Sequence, residues 1–143
     1  MSGAAVSQQH LALSFPVNPC SVAEARFAIA RFAHEAGFDA ATVSDITLAG
    51  GEACNDAIEC SPRGSEFSLS CDVLGGVLRV SVTYVGDLPP RSAINQGRVR
   101  PHDLGALLMR RLMDTTERYT DADGSTHIVL ERALGDLRRV TIP

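Results

Sequence analysis

Residues 48–60 read Leu-Ala-Gly-Gly-Glu-Ala-Cys-Asn-Asp-Ala-Ile-Glu-Cys, and they alternate apolar and acidic side chains with the period of an α-helix. The apolar side of this helix, extended upstream, holds Val43, Ile46, Gly50, Ala53, Cys54, Ala57 and Ile58. The opposite side holds Asp45, Glu52, Asp56 and Glu59, a set called the acidic stripe below. Two interpretations of the acidic stripe stay open, an ordinary solvated face and the floor of a binding site.

The adjacent glycines Gly50 and Gly51 favour the binding site. Each glycine inside a helix costs about 1 kcal/mol relative to alanine, because it fixes a flexible backbone and packs no side chain. A pair of them therefore predicts that a strand or a ligand approaches the helix closely at this point.

Length and composition indicate one globular domain. The chain has 143 residues and a mass of 15.2 kDa, with 45% hydrophobic and 21% charged residues. We expect a single domain over 1–143 with its core at about 10–133, and the tail 134–143 is left unplaced. No apolar run reaches the roughly 18 residues of a membrane helix, and the N-terminus has no signal-peptide pattern, so a cytoplasmic location without membrane contact is predicted.

The net charge indicates the class of partner, and the cysteine spacing indicates the redox state of the thiols. The net charge of −4 argues against sequence-independent nucleic-acid binding and favours a protein or small-molecule partner. Lysine is absent, so all 13 Lys/Arg positions are arginines, whose planar donors suit carboxylates and phosphates. The four cysteines form no Cys-x-x-Cys pair, so reduced thiols are expected. They are Cys20, Cys54, Cys60 and Cys71.

Hydrophobic periodicity and turn residues predict the order of elements. We expect a strand over 10–15 and a helix from the N-cap Ser21, with a Ser21/Glu24 capping box, to Gly37. Asp39 caps the second helix, which ends at Ser61-Pro62. A hairpin over 66–71 and 77–84, a loop over 85–103, a helix over 104–113 and strands near 117–119 and 126–132 follow.

This order predicts an α+β two-layer sandwich, with helices packed on one face of a mostly antiparallel mixed sheet. The loop over 85–103 is long for a compact domain, and long loops are often lids or binding loops. It is therefore a second candidate for function.

The same order, with its local sequences, resembles the Bergerat-fold ATPase domains of gyrase, histidine kinases and bacterial anti-sigma-factor serine kinases, and it looks most like the last group. The resemblance covers residues 11–132. It rests on Leu-Ala-x-x-Glu-Ala at 48–53, Leu-Arg-Val-x-Val at 78–82, Leu-Gly at 104–105 and Gly-Ser-Thr at 124–126. It implies a histidine-kinase-like ATPase fold with ATP and Mg²⁺ as cofactors.

The resemblance also implies roles for residues of the second helix. Glu52 stands at the position of the family's general base, which accepts a proton from a serine hydroxyl. Asp56 stands where the family has the asparagine that holds Mg²⁺, and Cys60 stands where it has a histidine. A carboxylate is a good magnesium ligand, so Asp56 is both a nucleotide-binding and a metal candidate.

Two further nucleotide-binding motifs match less well. Tyr84-Val85-Gly86 corresponds to the family's Asp-x-Gly, so Tyr84 replaces the carboxylate that accepts the adenine amino group, while Gly86 is kept. Of the glycine-rich lid, only Leu104 and Gly105 remain after Pro101 and Asp103. The loop arginine Arg98, with Arg100 beside it, is a candidate phosphate ligand.

Two functions follow from the resemblance. The first is an anti-sigma-factor-type regulator of a bacterial partner-switching system, with ATP-dependent serine kinase activity, that binds a sigma factor and a STAS-type anti-anti-sigma partner. The alternative is a protein-interaction module of the same fold that has lost ATP binding, which the departures at Asp56, Tyr84 and the lid favour. A homodimer is expected in either case.

Overall fold

The computed structural model describes residues 9–86 and 101–135, except for the side chains of residues 101–103. The strands are β1 (Gln9–Pro16), β2 (Glu66–Leu74), β3 (Val77–Val85), β4 (Thr115–Thr120) and β5 (Ser125–Ala133). The helices are α1 (Cys20–Glu35), α2 (Ala40–Cys60) and α3 (Pro101–Leu112). The predicted elements are thus confirmed in order and type.

The sheet has the strand order β1-β2-β3-β5-β4. Its four pairings are all antiparallel, so the parallel component of the expected mixed sheet does not occur among the described strands. β3 is the central strand, and β1 and β4 form the two edges. Side chains alternate between a buried and a more exposed face along β3, β5 and the first seven residues of β2.

The three helices cover one face of the sheet, and within residues 9–86 and 101–135 no element packs on the other face, which is called the open face below. The sheet contributes Leu69, Leu78, Val80, Val82 and Leu130 to the core, and the helices contribute residues such as Ile29, Ile46 and Cys54. This arrangement confirms the α+β two-layer sandwich. α2 is the central helix, because it packs against α1, α3, β3 and β5.

The start of α2 is as predicted and the start of α1 is not. The Asp39 carboxylate accepts a hydrogen bond from the Thr42 amide at 2.8 Å, which caps α2. The Ser21 capping box is wrong, since α1 begins at Cys20 and the Ser21 hydroxyl donates to the Pro16 carbonyl at 2.8 Å. The Asn18 side chain instead accepts from the Cys20 amide at 2.9 Å.

α3 begins at Pro101, three residues before the predicted start at residue 104. Proline is tolerated in the first turn of a helix, where its missing N–H has no intrahelical partner. The rest of the predicted loop after Gly86, over 87–100, and the tail over 136–143 lie outside the described residues. Of the tail, Leu134 packs against the core and its amide donates to the Gly76 carbonyl at 2.9 Å.

The glycine pair of α2 allows close packing of α1. A Cβ atom at Gly50 would lie 2.6 Å from Ile29 Cδ1, and one at Gly51 would overlap Arg26 Nε. The expectation of a strand or a ligand at this point is therefore wrong, because the close neighbour is a helix. The four cysteines are reduced thiols, as predicted. No helix of the described part of the chain is long and apolar enough to cross a membrane.

Candidate functional site

The acidic stripe of α2 is partly covered by α3 and the β4–β5 hairpin. Asp56 is buried, and its Oδ2 accepts a hydrogen bond from Nη2 of Arg118 on β4. Asp45, about three turns earlier in α2, pairs with Arg132 of β5. Of the four acidic residues only Glu59 is fully exposed. The solvated-face interpretation is therefore wrong for Asp56, whereas Glu59 is exposed and Asp45 and Glu52 are only partly buried.

Arg118 reaches Asp56 because it occupies an inward-facing position of β4. The even-numbered residues of this strand point toward the helices, so the guanidinium enters the space between α2 and α3. Burial lowers the pKa of Arg118. The sequence analysis missed this residue, because the predicted strand was only three residues long and its alternation was not followed to the edge of the sheet.

Glu52, the candidate general base, is half-buried against the first turns of α3. A Cβ atom at Gly105 would lie 2.6 Å from Glu52 Oε1 and 3.5 Å from Glu52 Cβ, so the helix backbone passes directly over this carboxylate. Leu104, the preceding residue, is exposed. The structure thus brings together Glu52, Asp56 and Gly105.

Tyr84 is buried between the end of β3 and the last turn of α2. Its ring belongs to the hydrophobic core, and its hydroxyl lies beside the Cys60 side chain. Burial is the main reason that the pKa of Tyr84 is raised, with the neighbouring Cys60 as a second cause. The phenol is therefore neutral, and its ring is packed by protein and has no free face.

Gly86 closes the end of this region. Its φ of +154° favours glycine, and a Cβ atom here would overlap the Cys60 carbonyl oxygen, with the carbonyl carbon only 3.1 Å away. The Thr126 hydroxyl donates to the Gly86 carbonyl at 2.5 Å. Gly86 is thus needed for the contact between β3 and the C-terminal end of α2.

A cleft of about 400 Å³ occurs on the open face of the sheet, and a smaller one of about 280 Å³ lies beside the acidic stripe. The smaller cleft separates α3 from β4, and the side chain of Arg118 lies in its wall. Its other lining residues are Ala106, Met109, Arg110, Thr116, Glu117 and Ile128. Arg98, the remaining candidate of the sequence analysis, lies outside the described residues.

Two of the implied cofactor positions do not fit ATP and Mg²⁺ as the side chains stand. The Asp56 carboxylate, the implied metal ligand, already pairs with the Arg118 guanidinium. Tyr84, which stands at the adenine-binding position, is itself packed in the core. No group of three His, Cys, Asp or Glu side chains converges within residues 9–86 and 101–135. Glu52, in contrast to Asp56 and Tyr84, is only partly buried.

Comparison with protein families gives one model, described as the histidine kinase-like ATPase domain, which matches residues 15–131. The chain belongs to this family. The match confirms the resemblance to Bergerat-fold ATPase domains that the local motifs indicated. It covers all the described helices and strands apart from residues 9–14 of β1 and 132–133 of β5.

A solved structure supports the same fold. The chain is similar to a chain in the crystal structure of the SiaB–SiaC complex from Pseudomonas aeruginosa, with a TM-score of 0.59 and 12% sequence identity. The similarity covers 92% of this chain and 94% of that chain. At this level of identity it concerns the fold alone. No curated protein matches the chain.

Proposed function

We propose that this protein is an anti-sigma-factor-type regulator of a partner-switching system that acts through protein contacts and does not depend on ATP. The observation that carries the proposal is the buried ion pair between Asp56 and Arg118. In this pair Arg118 binds the carboxylate that, by the family resemblance, would bind Mg²⁺.

The energetics of a buried ion pair oppose nucleotide binding in the family's mode. Freeing Asp56 for a metal would leave the Arg118 guanidinium without its partner, and breaking a buried pair costs about 3–5 kcal/mol. Adenine would also require Tyr84 to leave the core, where its packing contributes about 2 kcal/mol or more. Both costs would be subtracted from the binding free energy of ATP.

A serine kinase remains the second candidate, and one observation favours it. Glu52 occupies the position of the general base and is partly accessible, with no ion-pair partner among the described residues. A kinase of this kind would transfer the γ-phosphate of ATP to a serine of a STAS-type protein. The two functions therefore differ in a measurable product.

Protein partners are supported by the resemblance to anti-sigma factors and by apolar side chains on the helix layer. Phe27 of α1 is 70% exposed, and Leu48 of α2 and Leu107 of α3 are also exposed. We propose that a sigma factor or a STAS-type protein binds the outer faces of α1 and α2 or an edge of the sheet. The proposed location is the cytoplasm, without direct contact to nucleic acid or membrane.

The proposal is tested by measuring binding of purified sigma factors and STAS-type proteins from the source organism to the immobilised protein, with and without ATP and Mg²⁺. We expect at least one of them to bind with an affinity that ATP does not change. Transfer of labelled phosphate from ATP to a STAS-type serine, lost in Glu52→Gln, would contradict the proposal and support the kinase.

The oligomeric state is a separate proposal. We expect a homodimer, so light scattering should give a mass about twice that of the 15.2 kDa chain. A mass equal to one chain across the measured concentrations would overturn it.

A further inference from the structure

A second cluster of interacting polar side chains lies on the open face of the sheet, opposite the helices and the candidate nucleotide site. It joins Thr83 of β3, His127 of β5 and Asp121 at the β4–β5 turn. Thr83 Oγ1 lies 3.0 Å from His127 Nδ1, and His127 Nε2 lies 2.7 Å from Asp121 Oδ2. A hydroxyl, an imidazole and a carboxylate are thus connected in series.

The carboxylate determines which nitrogen of the imidazole carries the proton. Hydrogen bonding with Asp123, and then with His127, lowers the pKa of Asp121 to about 2, so this group is an anion near neutral pH and can only accept. His127 therefore donates from Nε2. In the neutral imidazole Nδ1 is then an acceptor, and the hydroxyl of Thr83 donates to it.

Neighbouring side chains hold this arrangement in place. The ring of Tyr119 stacks on His127, with centroids 4.8 Å apart and planes 21° apart. Asp121 also accepts a hydrogen bond from the Ser125 amide at 3.1 Å. The antiparallel register places Thr83 directly opposite His127, and His127 directly opposite Tyr119. The base is thus oriented on both sides before any substrate arrives.

We propose that Thr83 is a nucleophile toward small activated acyl compounds such as esters and thioesters, with His127 as general base and Asp121 as the group that orients it. A hydroxyl bonded to a base that is itself bonded to a carboxylate is the arrangement that activates serine and threonine nucleophiles. The site is independent of the nucleotide site, since it uses the opposite face of the sheet.

The proposed step transfers an acyl group from the substrate to Thr83. The Oγ1–carbon bond forms, the bond from the carbonyl carbon to the leaving alcohol or thiol breaks, and the hydroxyl proton moves to His127 Nδ1 and then to the leaving group. Water hydrolyses the acyl-threonine in the second half of the reaction. Ser68 of β2 lies directly opposite Thr83 on the same face, where its hydroxyl can donate to the developing oxyanion.

The chain contains a matched control for this reactivity. Ser81 lies two residues before Thr83 on the same strand and the same face, but its partner on β5 is Val129 instead of a histidine. Both side chains are half-buried. The two hydroxyls therefore differ mainly in the presence of a base.

The experiment is a time course with p-nitrophenyl acetate, followed by site-resolved mass spectrometry of the full chain. The chain has no lysine, so no side-chain amine competes for the acetyl group. We expect Thr83 to be acetylated about 100-fold faster than Ser81, the lower range of general-base catalysis. Equal rates at Thr83 and Ser81 in the wild type would overturn the proposal without the need for any variant.

Variants separate catalysis from a structural role of the same hydrogen bonds. His127→Gln should reduce acetylation of Thr83 to the Ser81 rate, Asp121→Asn should reduce it about tenfold or more, and Thr83→Ser should retain it. Circular dichroism verifies that each variant is folded. An unchanged Thr83 rate in a folded His127→Gln variant would mean that the cluster only fixes the β4–β5 turn.

Discussion

Two aspartates of the acidic stripe, Asp45 and Asp56, each pair with an arginine, but in different surroundings. Asp56 and Asp45 both extend from α2 to an arginine of the β4–β5 hairpin. The side chains of Asp56 and Arg118 are 4% and 21% exposed, whereas those of Asp45 and Arg132 are 41% and 10% exposed. The first pair is in direct contact, and the second is separated by 3.5 Å.

The Asp56 carboxylate therefore depends on its arginine partner, whereas the Asp45 carboxylate does not. Asp56 is buried, so its charge must be compensated by Arg118, because a buried charge without a partner is destabilising. Asp45 still has water, and Arg132 also donates to the Leu112 carbonyl at 2.5 Å, at the end of α3. At the candidate site, the charge of Asp56 is therefore neutralised by Arg118 inside the protein.

The largest effect is expected from Arg118→Met, which keeps most of the side-chain volume and removes the charge. The Asp56 carboxylate would be left buried and unpaired, so the free energy of unfolding should fall by about 3 kcal/mol or more. Urea denaturation measures the change.

The control for this variant is the Arg118→Met/Asp56→Asn double change, which removes both charges. It should recover a large part of the loss, and a double-mutant cycle gives the coupling. A loss below about 1 kcal/mol in the single variant would mean that the pair behaves like an exposed one.

A second large effect is expected from Gly86→Ala, at the same end of α2. The new Cβ atom would overlap the Cys60 backbone at a positive φ, which should destabilise the fold by about 2 kcal/mol. Gly105→Ala is the matched control, since its Cβ would come too close only to the flexible carboxylate oxygen of Glu52 and would be at ordinary contact distance from Glu52 Cβ. We expect a change within about 0.5 kcal/mol. Equal losses in thermal unfolding would contradict the close approach at Gly86.

At the opposite end of α2, Asp39→Ala should lower the melting temperature by a few degrees through loss of the N-cap. The hydrogen bond from Thr42 lowers the pKa of Asp39 below its ordinary value of 3.8. Its contribution is therefore complete above this value and is lost as the pH falls through the lower folded pKa. Wild type and variant should converge in melting temperature at acidic pH, and a constant gap down to low pH would contradict the cap.

The smallest effect is expected from Asp45→Asn. Its carboxylate is solvated, and Arg132 keeps the Leu112 carbonyl, so the free energy of unfolding should change by less than about 0.5 kcal/mol. A loss comparable to that of Arg118→Met would remove the distinction between the Asp45 and Asp56 ion pairs.

The fold was largely predictable from the sequence. Period-two patterns identified the strands, the 3.6-residue period identified α2, and the Asp39 cap marked its start. The start of α1 was harder to predict, because both Ser21 and Asn18 have side chains that can cap a helix. The Ser21 hydroxyl donates to the Pro16 carbonyl instead, and the position of that carbonyl depends on the three-dimensional structure. Local motifs do not contain that information.

The sequence predicted which residues of the candidate site differ from the family motif, but not the contacts that those residues make. Local sequence showed that Asp56 and Tyr84 depart from the family motif, but not what replaces the missing function. The partner of Asp56 is Arg118, which lies 62 residues later in the chain. It reaches Asp56 because β4 pairs with β5 at the edge of the sheet. Such a contact follows from strand register and packing, which a linear motif does not encode.

The most direct test of the account is a calorimetric titration of the wild-type protein with ATP in the presence of Mg²⁺ at neutral pH. Because Asp56 is committed to Arg118 and Tyr84 is packed in the core, we predict no saturable heat of binding. Saturable binding with a Kd below about 1 mM that is abolished by chelation of Mg²⁺ would contradict the account.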